Sequence, residues 1–399
     1  MHKYILFPII ILFILFSCNI KNKNPESLSI DPSDTVNINT ESVLDKNSMY
    51  LIVGTYTSGE SDGIYVYQFD TVSGYSIFKS AVKTDNPSYL TISKDEQYVY
   101  AVSEEGRNNG SVSAFSFDKK EGLLKYINTQ LTGGDDPCYI SIDKIGKNVI
   151  TANYSGGSIT HFSTANDGSL ARASRVVYFT GKGTDTERQD KPHLHCIVYS
   201  PDGQYLFADD LGTDRIYKFD VNRSASGNYF KVGTPSFFKV PDGSGPRHLT
   251  FHPNGKYAYL INELSGTVIV FSYNSQSGDL SEIQSIEADT LHAKGSGDIH
   301  ISPDGKFLYA SNRLKGDGIV IFSVNQSDGK LIKVGYQGTG THPRNFVITP
   351  NGKYLLVASR DSDMIQIFER DQETGLLADT YKNIELDMPV CLKFISFKE

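Results

Sequence analysis

The sequence predicts an all-β protein, a seven-bladed β-propeller with four antiparallel strands per blade, on three observations. Strand-forming aromatics are abundant, with 24 Tyr and 22 Phe, and 35 Gly can supply tight turns between them. A unit of the type SPDGQYLFADD recurs at intervals of about 50 residues, the period of a propeller blade. Apolar strands that follow a proline or a glycine-rich stretch can be counted seven times, and the last of them ends the chain.

The chain begins with a separate segment. Residues 1–17 carry Lys3 and then an apolar run from Tyr4 to Phe16, the pattern of a secretory signal. Its end, Leu15-Phe16-Ser17-Cys18, resembles the lipobox of bacterial lipoproteins, in which cleavage before the cysteine is followed by lipidation. Cys18 is therefore the expected lipidated N-terminus, and the protein is expected to be exported and anchored by lipid at the periplasmic or outer-membrane face of the cell envelope. Residues 18–48 are rich in Asn, Ser, Asp and Thr without a hydrophobic period and read as a flexible tether. Residues 49–399 are expected to form the propeller. With Cys18 lipidated, Cys138, Cys196 and Cys391 are an odd set, so at least one free thiol is expected.

Within the propeller, SKDEQYVYAVSEE, DKIGKNVITANYS, SPDGQYLFADDLG, HPNGKYAYLINEL, SPDGKFLYASNRL and TPNGKYLLVASRD are variants of one unit. Each has an apolar inner strand, a turn anchored at Glu96, Gly146, Gly203, Gly255, Gly305 or Gly352, an aromatic second strand, and a third such as GTVIVFSY. A more polar fourth strand fits the remaining residues. Inner strands follow Pro87, Pro137, Pro192, Pro246, the glycine-rich stretch before Asp298, Pro343 and Pro389. The final strand, MPVCLKFISF, has no successors, and the first folded segments, YLIVGTYT, GIYVYQF and SIFKSAVK, have no inner strand. Pro389–Phe397 is therefore expected to pair beside Tyr50–Tyr56, closing the ring and removing exposed edges.

A formal net charge of -8 argues against a general nucleic-acid binder. The cysteines lack zinc spacing, and no nucleophile elbow, phosphate loop or dinucleotide fingerprint is present, so neither metal nor cofactor is expected. The functional face follows from strand direction. Because the first two strands of a blade are antiparallel, residues eight before the turn anchor and seven or eight after it return to the same face. The former are Ser88, Cys138, His195, Arg247, Gly297 and Arg344; the latter include Glu104, Tyr154, Glu263, Arg313 and Arg360. His195, Arg247, Glu263, Arg313, Arg344 and Arg360 are expected around one positively charged mouth, suited to an anionic or oxyanion-generating ligand. The long step between Gly146 and Gly203 places its extra residues in TGKGTDTERQDK, on this face and just before His193 and His195. His300 is a further candidate near the start of the next blade.

At these residues the chain resembles a known family. KPHLH-x6-DG, GPRHL-x-FHPNGKYAYLINEL, GDIHISPDGKFLYASNR and HPRNFVITPNGKYLLVAS look like the seven-bladed lactonases that include bacterial 6-phosphogluconolactonase, a group similar to the fungal carboxy-muconate lactonizing enzyme. The resemblance runs from about Tyr50 to the C-terminus. It implies that His195, Arg247, Glu263 and Arg313 act in catalysis or substrate binding. The export signal departs from the family pattern, because phosphogluconolactone is a cytoplasmic metabolite.

Opening a sugar lactone needs activated water and a stabilised tetrahedral oxyanion. His195 is the expected base, kept neutral by Arg247 and Arg313 around it, with His193 as the competing base or its supporting partner. Arg247 is the expected oxyanion donor, and Glu263, with a depressed pKa, the expected orienting group. Arg313, Arg344, Arg360 and His300 are expected substrate contacts, the arginines also suiting blade-to-blade bridges. The substrate is then a small sugar lactone and the protein a monomer touching membrane only through its lipid. The alternatives are a muconate-type lactonizing cycloisomerase and a non-catalytic propeller that binds a cell-envelope ligand.

Overall fold

Seven antiparallel sheets follow one another along the chain. The computed structural model describes residues 47–222 and 228–397. The signal segment, Cys18 and nearly all of the expected tether lie outside the described residues. The innermost strands are Leu90–Ile92, Pro137–Ile142, Leu194–Tyr199, Pro246–Phe251, Ser296–Ile301, Pro343–Ile348 and Pro389–Ser396. Each packs against the next, and the last returns to the first, so the ring is closed.

Closure uses the C-terminal strand as expected. Ser48–Thr55, Gly63–Asp70 and Ser76–Lys83 supply the outer strands of one blade, and Pro389–Ser396 is its inner strand, with Met49 opposite Ser396 and Gly54 opposite Cys391. The closing blade thereby gains the inner strand that its own N-terminal segments lack.

The recurring turns explain the repeated glycines. Gly146, Gly203, Gly255, Gly305 and Gly352 take φ of 70, 68, 69, 71 and 71°, a left-handed conformation that a side chain disfavours. One blade has Glu96 there instead, at φ 56. Its carboxylate has a second use: Oε1 accepts from Ser396 N at 3.0 Å and Oε2 from Lys119 Nζ at 2.7 Å, so this turn clasps the closing strand.

The aromatics lock blade to blade. Tyr100, Tyr259 and Tyr309, buried on second strands, donate their hydroxyls to Gly168 O, Gly329 O and Gly375 O in outer turns of the following blades at 3.0, 3.1 and 2.8 Å. The apolar core accordingly lies between sheets, as clusters that each join residues of adjacent blades. Cys138, Cys196 and Cys391 are all buried free thiols.

One irregularity decides the chemistry. The inner strands slip register by a bulge between Pro137 and Tyr139, Leu194 and Cys196, Pro246 and His248, Ser296 and Ile299, and Pro343 and Asn345. The residues left without a direct partner are Cys138, His195, Arg247, Gly297 with Asp298, and Arg344. A bulge re-aims its side chain away from the alternating pattern. Asp298 apart, these are the positions eight residues before the five glycine anchors.

Candidate active site at one mouth of the channel

The bulged residues converge with the ends of the second strands on a cavity of about 180 Å³ lined by Glu104, Cys138, Tyr154, Arg188, His195, Glu263, Arg313 and Arg344. Beneath it a narrow extension reaches Ser88, Tyr89, Arg247, His248, Asn345 and Val390. Larger hollows lie elsewhere on the surface; one of them is lined by His248, Asp298 and His300, and none of those described gathers arginines as this cavity does.

Glu263 is the electrostatic centre. Its Oε1 accepts from Arg188 Nη2 at 2.6 Å, and its Oε2 from Arg247 Nε at 2.7 Å, with Arg313 Nη2 at 3.3 Å. Burial alone would push this carboxyl upward, but Arg313, Arg247 and Arg188 outweigh it and hold the pKa at about 2. Glu263 is a fixed anion and a poor proton acceptor.

His195 has the opposite character. Burial, then the charges of Arg247, neighbouring His248 and Arg344, hold its pKa well below 6.5, so the imidazole is neutral at pH 7. Burial outranks the arginines, and Arg344 contributes where Arg313 was expected. Cys138 Sγ lies 3.7 Å from Nδ1, while Nε2 is 4.0 Å from Glu263 Oε2, too far for a hydrogen bond. The Cys138 thiol is pushed far up by burial and is no thiolate nucleophile.

The arginines divide by how fully they are engaged. Arg247, 1% exposed, donates through Nε to Glu263 and through Nη1 to Gly297 O at 2.8 Å and His248 Nε2 at 3.2 Å. His248 donates its Nδ1–H to Asp298 Oδ1 at 2.7 Å, which leaves Nε2 as the acceptor for Arg247. Arg313 donates to Gly295 O at 2.7 Å and Ser296 O at 3.2 Å and approaches His342 at 3.2 Å. Arg344 is held more loosely, over the Tyr56 ring at 5.3 Å and 3.6 Å from Glu104 Oε2. Burial would lower its pKa, but Tyr56 and Glu104 more than compensate, so it is a permanent cation.

Three other expected site residues are placed outside this cavity. His193 precedes the strand, stacks on Tyr154 with ring centroids 4.5 Å apart and bonds Asp190 Oδ1 at 3.1 Å. The bulge at His195 breaks the alternation that would have put both histidines on one side. His300 lies beyond the Asp298 bulge, bonds Asp298 Oδ2 at 2.8 Å and faces a separate hollow shared with Tyr139, Tyr199 and Phe251. Arg360 begins a short 3-10 turn, Arg360–Ser362, and forks onto Asp361 at 2.5 and 2.9 Å. Asn153 and Asn312 are strand-end hydrogen bonders, reaching Ser158 Oγ and Ala288 O, each at 2.9 Å. Among the described residues no three His, Cys, Asp or Glu side chains are grouped as metal ligands.

Arg188, which sequence reasoning did not single out, comes from the long loop between Gly181 and Lys191. The signal was the extra length of that loop, but no repeat marks which of its residues points inward.

Buried neutral histidines predict a pH response. Burial, as the leading cause, holds His161 and His248 at about 4 and His342 at about 3, against 6.5 for a free histidine. The folded pKa is depressed, so the unfolded chain gains protons first: stability is complete above pH 6.5 and is lost as pH falls toward about 4. Each histidine contributes a slope of roughly 1.4 kcal/mol per pH unit in that window. The melting temperature should therefore drop between pH 6.5 and 4.5, before most carboxylates titrate. A calorimetric series that stays flat over that interval contradicts this.

Comparison with known proteins matches the fold. The profile of the family described as "Lactonase, 7-bladed beta-propeller" matches residues 50–394. The chain is 39% identical over 349 residues to the 6-phosphogluconolactonase of Bacillus subtilis, covering 86% of this chain and 97% of the relative. It is 43% identical over 334 residues to that of Formosa agariphila, covering 82% and 94%. The solved structure of the Pseudomonas aeruginosa periplasmic gluconolactonase superposes with a TM-score of 0.83 at 36% identity, covering 88% of this chain and 100% of that one.

Proposed function

Since the chain belongs to the seven-bladed β-propeller lactonase family, we propose that it hydrolyses a sugar δ-lactone of the 6-phosphogluconolactone type by general-base attack of water, without a metal. The observation that carries this reading is one cavity holding a neutral, buried His195 beside a permanent cation, Arg344.

His195 Nε2 takes a proton from water as the water oxygen bonds to the lactone carbonyl carbon. Negative charge then develops on the former carbonyl oxygen, and Arg344, whose guanidinium is the most loosely engaged of the buried ones, stabilises it. Collapse breaks the bond from that carbon to the ring oxygen, which recovers the proton from the imidazolium and leaves an open aldonic acid. Arg247 and Arg313 hold Glu263 in place. With its pKa near 2, Glu263 orients donors rather than moving protons.

Purified protein should hydrolyse 6-phosphogluconolactone and glucono-1,5-lactone faster than buffer, read as acid release in weakly buffered solution. Cyclisation of a muconate with no lactone hydrolysis would assign the site to cycloisomerisation instead. Inactivity on all three would remove the enzymatic reading.

A further inference from the structure

We propose that Arg188 is the residue that recognises an anionic substituent on the substrate, and that the loop carrying it, Gly181–Lys191, sets the preference between phosphorylated and unphosphorylated lactones. The inference rests on the lactonase reading and deepens it.

The first ground is charge. The cavity and its extension hold four guanidinium groups, Arg188, Arg247, Arg313 and Arg344, against two carboxylates, Glu104 and Glu263, while His195 is neutral. An excess of two positive charges at this mouth of a chain whose formal net charge is -8 matches a phosphate monoester, which carries close to two negative charges at neutral pH. The second ground is donor supply. Arg247 and Arg313 are buried and engaged by backbone carbonyls, Glu263 and histidines. Arg188 is different: its side chain is 38% exposed, and its protein bonds run from Nη2 alone, to Glu263 Oε1 at 2.6 Å and Tyr154 Oη at 3.3 Å. Nε and Nη1 make no bond to the protein among the described residues, so their three N–H groups are left to donate to phosphate or carboxylate oxygens.

The third ground is how firmly the loop is held. Gln189, fully buried, donates to Leu211 O and Asp214 Oδ1, both at 2.8 Å, and accepts from Thr184 N and Asp185 N, both at 3.0 Å. Asp185 in turn accepts from Arg188 N at 3.1 Å and pairs with Lys294 at 2.8 Å. Arg188 thus stands on an anchored turn, at low ordering cost to the bound state. Without Arg188, Glu263 keeps Arg247 and Arg313 as partners, so the substitution leaves that carboxylate paired.

The test is the selectivity of Arg188→Gln. The ratio of kcat/KM for 6-phosphogluconolactone to that for glucono-1,5-lactone should fall about 10–100-fold, the range for losing a charged hydrogen-bonding group, with the change carried by KM. Arg188→Lys should restore part of the ratio, because the charge remains with fewer N–H donors. Calorimetric affinity for the product 6-phosphogluconate should fall in parallel. An unchanged ratio overturns the proposal, whether both lactones suffer equally, which would place Arg188 behind Glu263, or neither does. If the wild-type protein hydrolyses neither lactone, the lactonase reading fails separately. The product-binding arm then decides alone, and equal affinity of wild type and Arg188→Gln for 6-phosphogluconate overturns the proposal.

Discussion

Replacing His195 with glutamine is expected to lower kcat on a sugar lactone by about 10²–10³-fold with little change in KM, because a positioned general base contributes in that range and acts only as the proton moves. The glutamine keeps much of the volume and cannot accept the proton of water. Glu263→Gln is the necessary comparison. It also should lose activity, since an amide presents donors to Arg188, Arg247 and Arg313, but the cause is disorder of the site rather than loss of a base. The two roles separate on pH dependence and rescue. With His195 held well below 6.5, wild-type activity should be flat from pH 6 to 8 and fall only on the acid side, as the base becomes protonated. His195→Ala should regain part of its rate when imidazole is added, whereas no small base should rescue Glu263→Ala. Rescue of the Glu263 variant by formate, with none of the His195 variant by imidazole, would make the carboxylate the base.

Deleting residues 389–399 is expected to abolish the folded state altogether. The strand it removes is the inner strand of the closing blade, and its Val390, Leu392 and Ile395 are each no more than 1% exposed. Burial of three such side chains is worth roughly 5–9 kcal/mol, comparable with the about 5–15 kcal/mol by which a whole domain is usually stable. Its loss also frees the Glu96 carboxylate at a non-glycine left-handed turn and leaves Ser48–Thr55 as a raw edge facing the channel. The shortened chain should show no cooperative melting transition by circular dichroism and should sediment as aggregate. A variant that melts as the full chain does would mean that the ring does not depend on this closure.

The blades and their closure were legible because each rests on a repeated local cause: a turn that needs a left-handed residue, an alternating strand, a proline before the inner strand. The register argument also located Cys138, His195, Arg247 and Arg344 on one face, since a fixed count from a fixed turn survives in every blade. It failed where a side chain's aim depends on something unrepeated. His193 was placed by its nearness to His195 and His300 by its nearness to a blade entry, and the bulges at His195 and Asp298 change which way the side chains there point. Arg360 holds the right position in the count, but the chain turns there and Asp361 draws it aside. Arg188 belongs to a loop without a counterpart in other blades, so only its tertiary bonds reveal that it points inward.

The bulges carry a consequence for how such a protein can change over generations. A bulged residue sits opposite no single partner, so the ladder on either side is indifferent to its side chain, and the same backbone presents a thiol at Cys138, an imidazole at His195 and guanidinium groups at Arg247 and Arg344. Heredity can therefore rewrite the chemistry of the mouth one blade at a time while the barrel of sheets below it stays as it was. Descendants of one ancestral ring would be expected to diverge first at these few positions and in the loop between Gly181 and Lys191, and last in the recurring turns and the tyrosine locks between blades.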